Sequence, residues 1–247
     1  MALNLTIDQG NTTTKLALWD ESGSLVDLST RHRLVARDVE HIAKGHEIDT
    51  AIYCTVTHRT PAIMHALGRR ATKAIEMNVH TPTPLTVEYG TPGTLGLDRL
   101  AAAVGAYSLP TCKGREILVA DLGTAITVDR VTYDGRFPGG NISPGIVTRL
   151  KALHHYTARL PMVDVRNSGQ PIPVFGNNTR SALLAGAVRG VVAELEYYYK
   201  AIGCDKGIVA VLTGGDAGLV APLLSFEPII EPNLVSIGLR NIIEYNR

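Results

Sequence analysis

One pattern occurs twice in this chain and constrains its fold more than any other feature. A buried-strand signal stops at Asp-x-Gly, turns through small polar residues, and resumes as a second strand. In the first copy Leu3, Leu5 and Ile7 run into Asp8-Gln9-Gly10-Asn11-Thr12; strand character returns over 15–19, and Asp20-Glu21-Ser22-Gly23 turns into a third strand at 25–30. In the second, an apolar strand at 116–120 runs into Asp121-Leu122-Gly123-Thr124-Ala125. Residues 126–131 continue it, Tyr133-Asp134-Gly135-Arg136 turns, and 137–142 leads out. Helices and further strands follow each copy. After the first, the pattern predicts a helix at 39–44, a strand at 51–56, a helix at 61–70 with Pro61 in its first turn, and an Ala-rich helix at 97–107. Pro82 and Pro84 make 79–85 extended. After the second come helices at 146–160 and 181–202, then a strand at 208–212 that ends at Thr213-Gly214-Gly215-Asp216. The expectation is two similar α/β domains, 1–112 and 113–247, facing each other across a cleft, with the boundary where Pro110 and Gly114 interrupt the pattern.

Composition narrows the function classes. The chain has 247 residues, 45% of them hydrophobic and 19% charged, so it can bury a core and is not disordered. With 24 Lys and Arg against 23 Asp and Glu the net charge is +1, which offers no basic field for nucleic acid and no polybasic membrane patch. Cys54, Cys112 and Cys204 stand far apart, without metal-ligand spacing, and fit buried thiols in a reducing compartment. The apolar opening is too short for a secretory signal, and the stretch at 183–193 is broken by Gly186, Arg189 and Gly190, so no segment spans a bilayer. A cytoplasmic protein is expected.

Glycine at the tip of a strand–turn–strand lets the backbone approach a ligand. Exposed N–H groups there, with Asn11, Thr12, Thr13 and Thr14, make an anion cradle, and Lys15 adds a charge suited to phosphate. Asp8 and Asp121, at strand ends, suit a hydrated metal such as Mg²⁺, which keeps waters and uses few carboxylates. A single Asp-x-Gly is more often a plain hairpin turn; two in matched contexts favour the ligand reading. Paired glycines at Gly214-Gly215 either let a nucleotide lie against the backbone at a helix N-terminus or form a strand-to-helix turn capped by Asp216. The glycine-rich run from Tyr89 through Gly96-Leu97-Asp98-Arg99 places Asp98 in the first turn of a helix. There it either complements the helix dipole or accepts a proton from a hydroxyl attacking the γ-phosphorus of ATP.

These residues resemble the type III pantothenate kinase family over almost the whole chain. The resemblance is carried by Asp8-Gln9-Gly10-Asn11-Thr12, by Tyr89 with Gly96-Leu97-Asp98-Arg99, and by Asp121-Leu122-Gly123-Thr124-Ala125-Ile126-Thr127-Val128-Asp129. It extends to Gly139-Gly140-Asn141-Ile142-Ser143-Pro144-Gly145, to Asn178-Thr179 and to Thr213-Gly214-Gly215. It implies duplicated β-β-β-α-β-α-β units of the actin-like, ribonuclease H-like kind. It implies ATP-dependent phosphorylation of pantothenate to 4'-phosphopantothenate, the first step toward coenzyme A, with Mg²⁺ and a monovalent cation, K⁺ or NH₄⁺. By the same resemblance Asp8, Gln9, Gly10, Asn11, Thr12, Thr13, Thr14, Lys15 and Thr124 bind ATP. Tyr89, Gly96, Leu97, Asp98, Arg99 and Thr179 bind pantothenate, Asp98 is the proton acceptor, and Asp121 is the monovalent-cation ligand. It also implies a homodimer, with the helix at 181–202 as an interface element. Two positions depart from the family pattern: Gln9 and Asn141 stand where apolar residues are usual.

Other features carry less. His154 and His155 are adjacent on a helix and point apart, and His41 and His46 lack companion ligands, so packed or solvated histidines are expected rather than a metal site. Tyr197-Tyr198-Tyr199 reads as core or interface rather than as a base-stacking platform. Two rival functions remain at this point, a sugar kinase of the same superfamily and a nucleotide-binding regulator without catalysis.

Overall fold

Strand β1 (Ala2–Gln9) carries buried residues on both faces, which makes it a central strand, and its neighbours follow from that. The computed structural model describes residues 2–57, 60–165, 171–203 and 207–247. In the first half β2 (Thr14–Trp19) and β3 (Leu25–Arg31) are followed by α1 (Ala36–Ile42), β4 (Glu47–Thr55), α2 (Pro61–Arg70) and β5 (Ala71–Glu76). A two-residue strand β6 (Thr86–Val87) and α3 (Leu97–Ser108) complete it. The second half begins with β7 (Glu116–Leu122) and β8 (Ala125–Val131), passes through β9 (Arg136–Phe137) to β10 (Gly139–Pro144), and continues into α4 (Ile146–Tyr156) and α5 (Thr179–Ile202). Then come β11 (Ile208–Thr213), the one-turn α6 (Ala217–Val220), β12 (Ile229–Ile230) and α7 (Leu234–Tyr245).

The two large sheets have strand orders β3-β2-β1-β4-β5 and β10-β8-β7-β11-β12. Counted from the first strand of each half, the order is the same, so the duplication expected from the sequence is present in the topology. In the first sheet β1 pairs antiparallel with β2 and parallel with β4; in the second β7 pairs parallel with β11, and β11 with β12. By contacts the chain forms two units, and they interleave where the sequence reading drew one boundary between 112 and 113. The first unit comprises residues 1–113, 131–139 and 233–247; the second comprises 114–130 and 140–232. The strand β9 and the last helix therefore return to the first unit.

Side-chain alternation divides the first sheet into two working faces. Leu5, Ile7 and Tyr53 pack with Val39, Ile42, Ile63 and Leu67 of α1 and α2. The opposite face presents Asn4, Thr6 and Asp8 toward α3 and α7: Asn4 Nδ2 donates to Glu244 Oε1 (3.2 Å), and the guanidinium of Arg240 lies over the Trp19 ring at 5.8 Å. Helix α3 is buried from Arg99 to Ala106, and its closeness to α7 explains its small residues. A Cβ on Gly105 would stand 2.2 Å from the Leu234 carbonyl oxygen, and one on Gly238 would stand 1.8 Å from that of Ala101. Backbone thus meets backbone at this crossing, which fixes the axis of the helix that carries Asp98. The second unit has its own core, in which Leu118, Ala120, Ile126 and Leu212 of the sheet meet Val188, Val191 and Leu195 of α5.

Several boundaries differ from the sequence reading. Helix α1 starts at Ala36 because the Asp38 carboxylate accepts the Val35 N–H (2.9 Å) and secures its first turn. Strand β5 was not anticipated. The expected extended run at 79–85 is turns and bends, organised by Asn78 Oδ1 accepting from His80 N and by Thr81 Oγ1 accepting from Asn78 N. Helix α4 stops at Tyr156 rather than at 160, with Thr157 Oγ1 bonded to the Leu153 carbonyl (2.7 Å). Helix α5 begins at Thr179, where Asn178 Oδ1 accepts from Ser181 N (3.0 Å) and Ser181 Oγ accepts from Asn178 N (3.2 Å), a reciprocal cap. Cys54 and Cys112 are buried, and Cys204 lies outside the described residues. Tyr199 stacks on Phe226, with centroids 3.9 Å apart, and packs on the second core, while Tyr197 is exposed. Among the described residues no helix is long and apolar enough to cross a membrane.

Candidate active site

The first unit gathers most of the residues singled out in the sequence. Asp8 ends β1 and faces Lys15 across the antiparallel β1/β2 pair and Cys54 across the parallel β1/β4 pair, so the three share one face of the sheet. Residues 10–13 form the turn between β1 and β2, closed by a hydrogen bond from Gly10 N to Thr13 O (3.0 Å). Asn11, Thr12 and Thr13 are exposed, as an anion cradle requires, whereas Thr14 is buried within β2. Gln9 behaves differently from its neighbours. Its side chain accepts a hydrogen bond from the Tyr53 hydroxyl, on the face opposite Asp8.

Asp98 occupies the first turn of α3. Its Oδ1 accepts the Arg99 N–H (2.8 Å), and a Cβ on Gly96 would stand 2.6 Å from that same oxygen. Gly96 is required there by the carboxylate folded over it, since its own φ of −60° is open to any residue. Burial pushes the Asp98 carboxyl above its ordinary value, opposed by the backbone bond from Arg99 and by the Arg99 charge. Burial also drives the Cys54 thiol well up, and the negative charges of both Asp8 and Asp98 add to that. Asp8, Cys54 and Asp98 therefore lie in one electrostatic neighbourhood. Cys54 was not anticipated as its member, because only the register of β4 against β1 reveals it.

Arg99 is 4% exposed, with its guanidinium 5.5 Å from the centroid of the Tyr89 ring. Tyr89 is placed by the small sheet in which β6 pairs with β9: Glu88 N donates to Phe137 O (2.9 Å) and Thr86 N to Gly135 O (2.9 Å). Leu97 begins α3 and is half-buried. The first unit thus assembles two carboxylates, a buried cation, an aromatic ring and an open turn.

The second unit holds the other candidates. Asp121, near the end of β7, pairs in register with Thr213 of β11. The Thr124 side chain is exposed, while its carbonyl accepts from Gly145 N (3.0 Å) and Thr148 Oγ1 (2.7 Å). Gly214 has φ +87°, and a Cβ there would stand 2.5 Å from Asp121 Oδ1 and 2.6 Å from the Leu122 backbone. The helix expected after Gly215 is a single turn, α6. Asp216 does not cap it with its side chain; its N–H donates to the Leu122 carbonyl (3.1 Å). Gly214 therefore packs its backbone against the Asp121 turn. Thr179 sits elsewhere in this unit. It joins Asn177, Asn178, Leu153, Leu160 and Leu183 around an open groove of about 530 Å³ at the start of α5.

The donor sets suit hard cations. Asp8 and Asp121 offer carboxylate oxygens at strand ends beside main-chain turns, and among the described residues no group of three or more His, Cys, Asp or Glu forms a closed metal cage. Mg²⁺ bound by one or two carboxylates, waters and substrate phosphates matches such a set.

The sequence matches the family model of type III pantothenate kinase over residues 4–201. It is 39% identical over 247 residues to the type III pantothenate kinase of Porphyromonas gingivalis strain W83, covering all of both chains. To that of Bacteroides fragilis strain ATCC 25285 it is 36% identical over 245 residues, covering 99% of this chain and 98% of the relative. Among solved structures it is similar in fold to the ROK family glucokinase from Streptomyces griseus in complex with glucose and AMPPNP, with a TM-score of 0.54, 13% identity and 99% of each chain covered. The activator of the 2-hydroxyisocaproyl-CoA dehydratase from Clostridium difficile with bound ADPNP gives a TM-score of 0.55 at 14% identity, covering 99% of this chain and 96% of that one.

Proposed function

The chain belongs to the type III pantothenate kinase family, and on that premise we propose that it transfers the γ-phosphoryl group of ATP to the hydroxyl of pantothenate, giving 4'-phosphopantothenate and ADP. The observation that carries the reading is Asp98, a half-buried carboxylate in the first turn of α3 held above its ordinary value by burial, next to the buried Arg99 and, with Asp8, close enough to act on Cys54. A base of raised pKa competes better for a hydroxyl proton near neutrality, and phosphoryl transfer asks for one such acceptor with positioning and charge neutralisation.

In this reading Asp98 takes the proton from the pantothenate hydroxyl as its oxygen bonds to the γ-phosphorus and the bond from that phosphorus to the ADP oxygen breaks. Main-chain N–H groups of residues 10–13, with Asn11, Thr12, Thr13 and Lys15, hold the phosphates, and Thr124 contacts the nucleotide. Tyr89, residues 96–99 and Thr179 hold pantothenate, and the Arg99 cation suits its carboxylate. Asp8 fits Mg²⁺ through its waters and Asp121 fits K⁺ or NH₄⁺; when bound, such ions offset the negative charge that ATP and the carboxylates concentrate. The working form is a homodimer.

The test is a coupled assay of ADP release by the purified protein, with and without pantothenate, in K⁺ and in Na⁺, with hexoses as alternative acceptors. Pantothenate-dependent release supported by K⁺ is expected. Release driven by a hexose but not by pantothenate would replace the substrate assignment, and no acceptor-dependent release at all would remove the kinase reading.

A further inference from the structure

Gln9 follows Asp8 at the end of β1, and the structure gives its side chain a partner. Along β1 the side chains alternate, so Asp8 shares a face with Cys54 while Gln9 falls on the face of Ile7, Tyr53 and Thr55. There the Tyr53 hydroxyl donates to Gln9 Oε1. The Tyr53 residue is 1% exposed and packs in the core shared with α1 and α2, and its own carbonyl accepts from Met77 N (2.9 Å). Its ring is thereby locked, and the hydroxyl is a fixed point. Gln9 is held by its main chain too, since its carbonyl accepts from Val56 N (3.2 Å). Immediately after Gln9, a bond from Gly10 N to Thr13 O (3.0 Å) closes the turn, and residues 11–13 are exposed.

We propose that Gln9 and Tyr53 are a positioning pair that fixes the phosphate turn from the far side of the sheet, so that Gln9 acts on ATP through the backbone of residues 10–13 rather than by touching the nucleotide. An apolar residue at position 9 cannot accept the Tyr53 bond. Burial raises the phenol above its ordinary value, and a tyrosine hydroxyl is in any case protonated, and so able to donate, near neutral pH. The exit of β1 then has one orientation, and the N–H groups of the turn are aimed before ATP arrives, which lowers the ordering required on binding.

This inference rests on the kinase reading, and its test separates the two. Tyr53→Phe keeps the ring and removes the hydroxyl, which bonds Gln9 and also the Thr55 side chain and the Thr60 main chain; Gln9→Leu removes only the Gln9 acceptor. Each is expected to raise the KM for ATP by about three- to tenfold, with the KM for pantothenate and kcat moving by no more than about twofold. The double variant is expected to be no worse than Tyr53→Phe alone, because that variant already lacks the bond to Gln9. Calorimetric titration with ATP alone should show the same weakening, and thermal midpoints confirm that each variant is folded. If Gln9→Leu does not fold, Tyr53→Phe and its ATP titration decide alone. A native ATP affinity in Tyr53→Phe, effects that multiply in the double variant, or an equal rise in the KM for pantothenate would each overturn the pair. Native protein that binds ATP but turns over no acceptor would fail the kinase reading instead, and the ATP titrations would still judge Gln9 and Tyr53.

Discussion

The two Asp-x-Gly turns end corresponding strands of two sheets with the same order, yet they are built to different specifications. The turn after Asp8 is open: residues 11–13 are exposed, and a Cβ on Gly10 would meet only the Thr13 carbonyl oxygen, at 3.2 Å. The turn after Asp121 is braced. Leu122 O accepts the Asp216 N–H, Thr124 O accepts from Gly145 and Thr148, and the Gly214 backbone presses on Asp121 itself. Duplication preserved the topology and let the roles separate. One copy exposes residues 11–13; in the other, main-chain bonds from Asp216 and Gly145 hold the residues that follow Asp121. Variants in the two turns should therefore fail in different ways.

The largest expected effect is at Asp98, the proposed proton acceptor at the start of α3 in the first unit. Asp98→Asn should lower kcat by about 10²- to 10⁴-fold and leave the ATP dissociation constant within about threefold. The measurement is steady-state turnover beside calorimetric ATP titration. Turnover equal to native would remove Asp98 from the mechanism and leave the first unit with no chemical role beyond binding.

Glycine substitutions sharpen the contrast next. Gly214→Ala sets a Cβ at positive φ and 2.5 Å from Asp121 Oδ1, and should destabilise the fold by about 2–4 kcal/mol in urea denaturation. Gly10→Ala should change stability by less than about 1 kcal/mol, while weakening ATP binding because a methyl group enters the phosphate turn. If Gly10→Ala proved as destabilising as Gly214→Ala, the distinction between an open and a braced turn would be lost.

What the sequence revealed of this contrast followed from local signals. The strand alternation before Asp8 and Asp121, the glycines of both turns and the Pro61 start of α2 fixed element types and most of their order. Helix α7 was legible in principle, since Leu234, Leu239, Ile242 and Ile243 recur at helical spacing, but it was not read. Its role was hidden more deeply, because the fit of Gly238 against Ala101 is a fact about two helices far apart in the chain. Cys54 entered the neighbourhood of Asp8 and Asp98 only through strand register. Gln9 looked like a ligand-facing member of its motif. Alternation turns it to the far face, and that consequence was available from the strand alone. The bracing role of Gly214 needed β11 beside β7, a pairing between segments on either side of α5.

A smaller effect should separate the two aspartates by cation. Asp121→Asn should lower turnover in K⁺ by about tenfold and flatten the ratio of rates in K⁺ and Na⁺ toward one, because the braced carboxylate is the proposed monovalent-cation ligand. Asp8→Asn should instead shift the Mg²⁺ requirement and keep the K⁺ preference. Rates of the native protein that are equal in the two salts would remove the cation site from the second turn.

The smallest expected effect concerns stability and has a definite sign. Burial raises the Asp98 carboxyl in the folded protein above its ordinary value, which it keeps in the unfolded chain. Below the ordinary carboxylate range both states hold the proton, and Asp98 contributes no pH dependence. As pH rises through that range the unfolded chain ionises first, so the folded state loses stability until its own carboxyl has also ionised, and the penalty is constant at higher pH. Asp98→Asn cannot ionise and escapes the penalty. Its Tm should exceed the native one by about 1–3 °C at pH 7–8, with the difference shrinking to nothing near pH 3. A native protein as stable as Asp98→Asn at pH 8 would mean that this carboxyl ionises in place without cost, and the basicity that suits it to take a hydroxyl proton would be gone.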